Sequence, residues 1–210
     1  MLQNEGFSVS CFVADYGRLR FYLETSLQSE SYVEDPSLRA SRREGMASAV
    51  MLGAGETYLS AFAVFLQGTT LQIGLLGTVP QLCGALAQMG AVEIMERIRS
   101  RRNALVALSS FQALYWLVIG ALPWFWGQGS EAVWFLIQAV IGYYILSGLI
   151  TPIWSSLIGD LVPAEIRGEF FGRRSRQVSA FTFGSMFGAG QMLEVFKTAG
   201  SSAAGFAFIF

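Results

Sequence analysis

Apolar runs of membrane-spanning length, separated by short polar links, organise this chain from about Met46 onward. The first runs from Met46 to Gln67 (46–67), where roughly 20 residues at about 1.5 Å each cover the ~30 Å hydrocarbon core of a bilayer. Four more follow at 71–95, 104–126, 132–157 and 177–196, and a sixth begins at 203 and stops at Phe210. The links Gly68–Thr70 and Gly127–Glu131 are short and uncharged or nearly so, which makes consecutive runs antiparallel. The pattern predicts an all-α, polytopic membrane helix bundle with five complete spans and the start of a sixth, truncated at 203–210. Residues 1–45 contain no run of that length and form a separate cytosolic N-terminal leader, poorly ordered or interfacial, ahead of the 46–210 bundle.

Within the first span Ala49, Gly53, Glu56, Ser60, Ala63 and Gln67 recur at spacings of three and four. Regular helical geometry puts them on one small or polar face and turns Leu52, Leu59, Phe62 and Leu66 away. Glu56 is the only acid well inside a span. An acid at that depth costs on the order of 2.5 kcal/mol or more unless it faces protein or water, so it is a candidate for substrate or ion handling. The bland alternative is a carboxylic acid hydrogen-bonded to a neighbouring helix. Gly53 and Ser60 share its face, and Gln138 lies inside the fourth span; these four are the candidate substrate or ion-coupling residues. Pro80 is expected to bend the second span, and Ala180, Gly184 and Gly188 form a ridge on the fifth that lets another backbone approach closely.

Charge then sets orientation. All 14 basic residues except Lys197 fall in three blocks, Arg18–Arg43, Arg97–Arg102 and Arg167–Arg176, and with two short outer turns all three share one side. Short cytoplasmic loops hold the excess of Lys and Arg, so the N-terminus and both later blocks are expected in the cytoplasm. Arg39, Arg42 and Arg43 lie where they could touch anionic headgroups. Composition agrees with a bilayer as solvent: 53% of the chain is hydrophobic and 14% charged, against about 25% charged in soluble proteins. The absence of histidine excludes Ser-His-Asp and Cys-His catalysis and any His-ligated metal. Cys11 and Cys83 are too few for a disulfide framework. No cofactor, metal, catalytic residue or nucleic-acid partner is expected, and the chain is not expected to be an enzyme.

Two loops carry a resemblance. Gly90 followed by Glu96-Arg-Ile-Arg-Ser-Arg-Arg102 resembles the loop between helices two and three of the major facilitator superfamily of secondary transporters, with Glu96 for the usual Asp and Arg99 for a Gly. Asp160-Leu-Val-Pro163, Glu165, Arg167-Gly168 and Phe171-Gly172 with Arg174 are similar to that family's bacterial pattern after helix four. Gly53-Ala-Gly-Glu56-Thr-Tyr58 looks like the start of its bacterial members.

The resemblance implies half of a 12-helix carrier that moves a small solute by alternating access, with the missing C-terminal half of the same chain as partner. It implies residence in the bacterial inner membrane and an inward gate built from Glu96, Arg97, Arg101, Arg102, Asp160 and Arg167. In that gate Asp160 would reach the arginine cluster and Glu96 would reach Arg167. Gln138 stands where proton antiporters carry an arginine, and Phe187-Gly188-Ala189 lacks their proline, which argues against drug/proton antiport. A non-transporting membrane scaffold or receptor of the same fold is the alternative.

Overall fold

A computed structural model describes residues 36–97, 100–164 and 166–210; the leader up to residue 35 lies outside the described residues. Every regular element among the described residues is helical. In chain order these are α1 (Pro36–Val50), α2 (Leu59–Phe65), α3 (Thr70–Arg97), α4 (Arg101–Phe125), α5 (Ser130–Leu161), α6 (Arg167–Thr198) and α7 (Ser202–Ile209). A wide π-helical turn over Met51–Gly55 and a tight 3₁₀ turn over Glu56–Tyr58 join α1 to α2.

Among the described residues four segments are long and apolar enough to cross a membrane: Leu38–Phe65, Thr70–Ala91, Arg101–Phe125 and Ser130–Leu161. The shortest has 22 residues, about 33 Å of helix at 1.5 Å per residue. Exposed Leu82, Leu86, Phe111, Leu117, Phe183 and Phe187 surround the bundle, a surface that suits hydrocarbon and not water. The described residues thus form an all-helical bundle whose four long apolar helices suit a polytopic integral membrane protein. The fifth expected span lies inside α6, which is not among the four: past its charged first turns the helix is diluted by Gly, Ser, Thr and Gln and is less apolar than the others.

The helix ends are made locally. Thr69 and Gln72 form a capping box at the start of α3: the Thr69 N–H donates to Gln72 Oε1 at 2.9 Å and the Gln72 N–H to Thr69 Oγ1 at 3.3 Å. Gln72 Nε2 also donates to Ser130 Oγ at 2.9 Å, tying α3 to the start of α5. Beside it the Gly129 N–H donates to the Leu66 carbonyl at 2.9 Å, so the two short turns adjoin at one end of the bundle. At the other end Arg167 Nη2 donates to the Gly159 carbonyl at 2.8 Å and to that of Val162 at 3.1 Å, satisfying the last carbonyls of α5. Gly200, with φ +73°, closes α6: its N–H reaches the Lys197 carbonyl and the Ser201 N–H that of Phe196, the paired bonds of a left-handed cap.

α5 is the central helix. Val133, Leu136, Ile137, Val140 and Tyr143 on one face are buried against Leu59, Phe62 and Leu66 of the first span, Trp116, Ile119 and Leu122 of α4, and Phe206 of α7. A smaller apolar cluster at the arginine end joins Leu38 of α1 to Ile158, Val162 and Ile166.

Several expectations change here. The first helix starts at Pro36 and not at Met46, so residues 36–45 belong to the bundle: Leu38 is 3% exposed and packs in that second cluster. Beyond the wide turn the first span is also out of phase with regular helical counting. Leu59, Phe62 and Leu66 are buried, while Ser60 and Gln67 are exposed. An extra residue in one turn swings everything after it by about 100° around the axis, which the tighter turn only partly reverses. Gly184 and Gly188 have open space around them, which leaves room for the backbone their ridge is expected to admit, while α6 packs its Thr182, Ser185 and Met186 side against Gly53 and Tyr58.

Candidate functional site

Gly55 is buried under the Trp116 ring, where a Cβ would lie 2.6 Å from the indole. That close seat brings Glu56, the next residue, to α5. Tyr143 Oη donates to Glu56 Oε1 at 2.5 Å and Tyr144 Oη to Oε2 at 3.1 Å. Trp116 meets the Tyr143 ring edge-on, with centroids 5.1 Å apart, and stacks on Phe210 at 5.6 Å. Gly142 lies so close under the Tyr115 ring that a Cβ would approach it at 2.5 Å. Two aromatic–glycine seats, one on each side of the contact, therefore set how α5 is rotated toward the first span.

Glu56 borders a cleft of about 690 Å³. One wall is α1 with the wide turn, another is α4 through Ser109, Gln112 and Trp116, and a third is α5 through Tyr143 and Ser147. At the arginine end the cleft is bounded by Glu44 and Arg174. Arg174 Nη2 donates to Glu44 Oε2 at 2.9 Å, its guanidinium lies 4.4 Å over the Trp154 ring, and Glu44 Oε1 accepts from Ser48 at 2.9 Å. Each Glu56 oxygen accepts one phenol hydrogen. A carboxylate can accept about four, so this one keeps acceptor capacity for a cation, a polar solute or a proton.

Of the four expected coupling residues only Glu56 reaches the cleft. Gly53 is buried at the crossing with α6, where a Cβ would overlap Ser185 Oγ and the Thr182 carbonyl. Ser60 and Gln138 are exposed elsewhere on the bundle. Among the expected gate residues, Arg101 Nη1 contacts Asp160 Oδ2 at 3.2 Å and Ser156 Oγ at 2.8 Å. Arg102 is exposed, and Arg167 is engaged with the end of α5. The side chains of Glu96 and Arg97 lie outside the described residues.

Tyr143, Tyr144 and Trp116 do not stand out in the sequence as an acid or amide inside an apolar run does. The signal was present as a tyrosine pair after Gly142 inside an apolar run. Among the described residues no group of three His, Cys, Asp or Glu side chains is placed to hold a metal. Compared with protein-family models, with curated proteins and with solved structures, the chain gives no match.

Proposed function

We propose that this chain is the first half of a secondary carrier of the major facilitator type, moving a small solute by alternating access. Glu56 is then the group that contacts the solute or its coupling ion. The observation that carries this reading is a mid-span carboxylate held by two phenols at the edge of an open cleft. An acid in such a place is a functional group by default, and secondary carriers bind their solutes near the bilayer midplane. α6 serves as the fifth span, α7 begins the sixth, and the arginine end lies in the cytoplasm of a bacterial inner membrane. The Arg101–Asp160 pair forms part of the inward gate.

The test is flux through the full-length protein in vesicles, screened over cationic and neutral solutes with and without a proton gradient. Glu56→Gln is expected to abolish proton-coupled accumulation, or recognition of a cationic solute, in a protein that remains folded. Uptake, pH dependence and affinity that all survive this change make Glu56 a packing residue. No flux in either protein would favour a non-transporting scaffold.

A further inference from the structure

The N-terminal half of the first helix meets the rest of the bundle in an unusual way. α1 is a complete helix up to Val50, but the wide turn Met51–Gly55 interrupts the regular hydrogen-bond ladder immediately before Glu56. Gly53 within that turn sits against the α6 backbone with no room for a Cβ, which makes it a fulcrum. Two turns earlier, Arg174 of α6 holds Glu44, with Trp154 beneath the guanidinium and Gly45 beside it: a Cβ on Gly45 would come within 3.0 Å of Arg174 Nη2. Glu44, Gly45, Ala47 and Ser48 between these two points form one wall of the cleft that leads to Glu56.

We infer that residues 36–50 form a strap over the arginine-end mouth of the cleft, hinged at the wide turn and latched by Arg174 on Glu44. This rests on the carrier reading for its purpose but not for its geometry. A π-helical turn is a weak point in a helix and often marks a functional site, and a strap hinged there moves without disturbing α2, which is locked in the core by Phe62 and Leu66. The latch is suited to release. The Glu44 side chain is 48% exposed, and Arg174 Nε is buried without a partner among the described residues, so the closed state leaves a donor unsatisfied. A solute or proton arriving at Glu56 perturbs the residue that directly follows the hinge.

The test uses Ser147→Cys, in the cleft wall on α5, in an otherwise cysteine-free full-length protein in membranes. Its rate of modification by an impermeant thiol reagent is measured separately from each side. Arg174→Gln and Glu44→Gln should each raise the rate from the arginine end about fivefold, the shift that loss of a partly exposed ion pair supports. The exchanged pair Glu44→Arg with Arg174→Glu should return it toward the parent rate. Glu44→Gln leaves Arg174 on Trp154, so it remains informative if Arg174→Gln fails to fold. Rates unchanged in Glu44→Gln, or an exchanged pair as open as the single variants, overturn the latch. Two-sided labelling that ignores these changes keeps the carrier and removes the latch; labelling from one side only, but accelerated by them, does the reverse.

Discussion

Gly84 of α3 and Gly148 of α5 meet backbone to backbone: a Cβ on Gly148 would overlap the Gly84 carbonyl oxygen, and one on Gly84 would lie 2.8 Å from that of Tyr144. Neither obstacle is a flexible side chain that could step aside. This crossing fixes the depth at which Tyr144 faces the first span, so it supports the Glu56 contact as well as the packing. Gly148→Ala is expected to destabilise by about 1–3 kcal/mol, the usual range for overpacking. Gly77→Ala on the same helix as Gly84, where nothing lies within 4 Å, should be neutral or slightly stabilising. Reversible unfolding in mixed detergent micelles checks both; equal effects would remove the close crossing.

Tyr143→Phe takes the nearest donor from a half-buried Glu56 oxygen. A loss of about 1–2 kcal/mol, the net worth of one such hydrogen bond, follows, together with impaired flux. Tyr144→Phe should cost less, because its bond is longer, at 3.1 Å, and its ring is less buried. Paired thermal melts and flux assays test that order, and a larger effect at Tyr144 would reverse the roles given to the two phenols.

Gln72 is 2% exposed and has its amide engaged at both ends, by Thr69 on one side and Ser130 on the other. Gln72→Ala therefore loses a capping box and an interhelical tie together, for roughly 1–2 kcal/mol. The Arg101–Asp160 pair is the contrasting case, with side chains 45% and 76% exposed. Asp160→Asn should alter stability by less than about 1 kcal/mol. Detergent unfolding of the two variants side by side should separate them clearly.

Asn103→Cys lies in the first turn of α4 and Gln128→Cys in the link beyond its last turn, both exposed. In a cysteine-free background they should react with an impermeant reagent from opposite sides of the membrane, Asn103 from the cytoplasmic side. Modification of both from one side would remove α4 as a span and, with it, the proposed topology.

What the chain revealed in advance was set by chemistry that does not depend on helix rotation. Arginines segregate because their transfer across a bilayer is costly, and an acid inside a span stands out at any phase, so the gathering of Arg42, Arg101 and Arg174 at one end and the presence of Glu56 inside the first span were legible. Which neighbours Glu56 meets was not. Counting at 3.6 residues per turn grouped Gly53, Glu56 and Ser60, whereas the wide turn sends Gly53 to α6 and Ser60 to the surface. Tyrosines inside an apolar run read as bulk, because whether a phenol becomes a donor depends on how α5 is rotated. Arg39, Arg42 and Arg43 made residues 36–45 look like a leader, although Leu38 is buried there and Arg42 Nε reaches Gln177 at 3.3 Å.

The wide turn at Met51–Gly55 also bears on how such a chain could change over generations. Loss of one residue there would restore an ordinary helix at no cost to its hydrogen bonding, yet it would rotate Glu44 away from Arg174 while Glu56 kept its tyrosines. A codon lost or gained in this turn would thus separate the strap from the acid in one step, leaving a folded protein whose two ends no longer answer to each other. Sequences otherwise like this one but a residue shorter between Val50 and Glu56 would form a natural experiment, retaining the carboxylate and lacking the arginine contact.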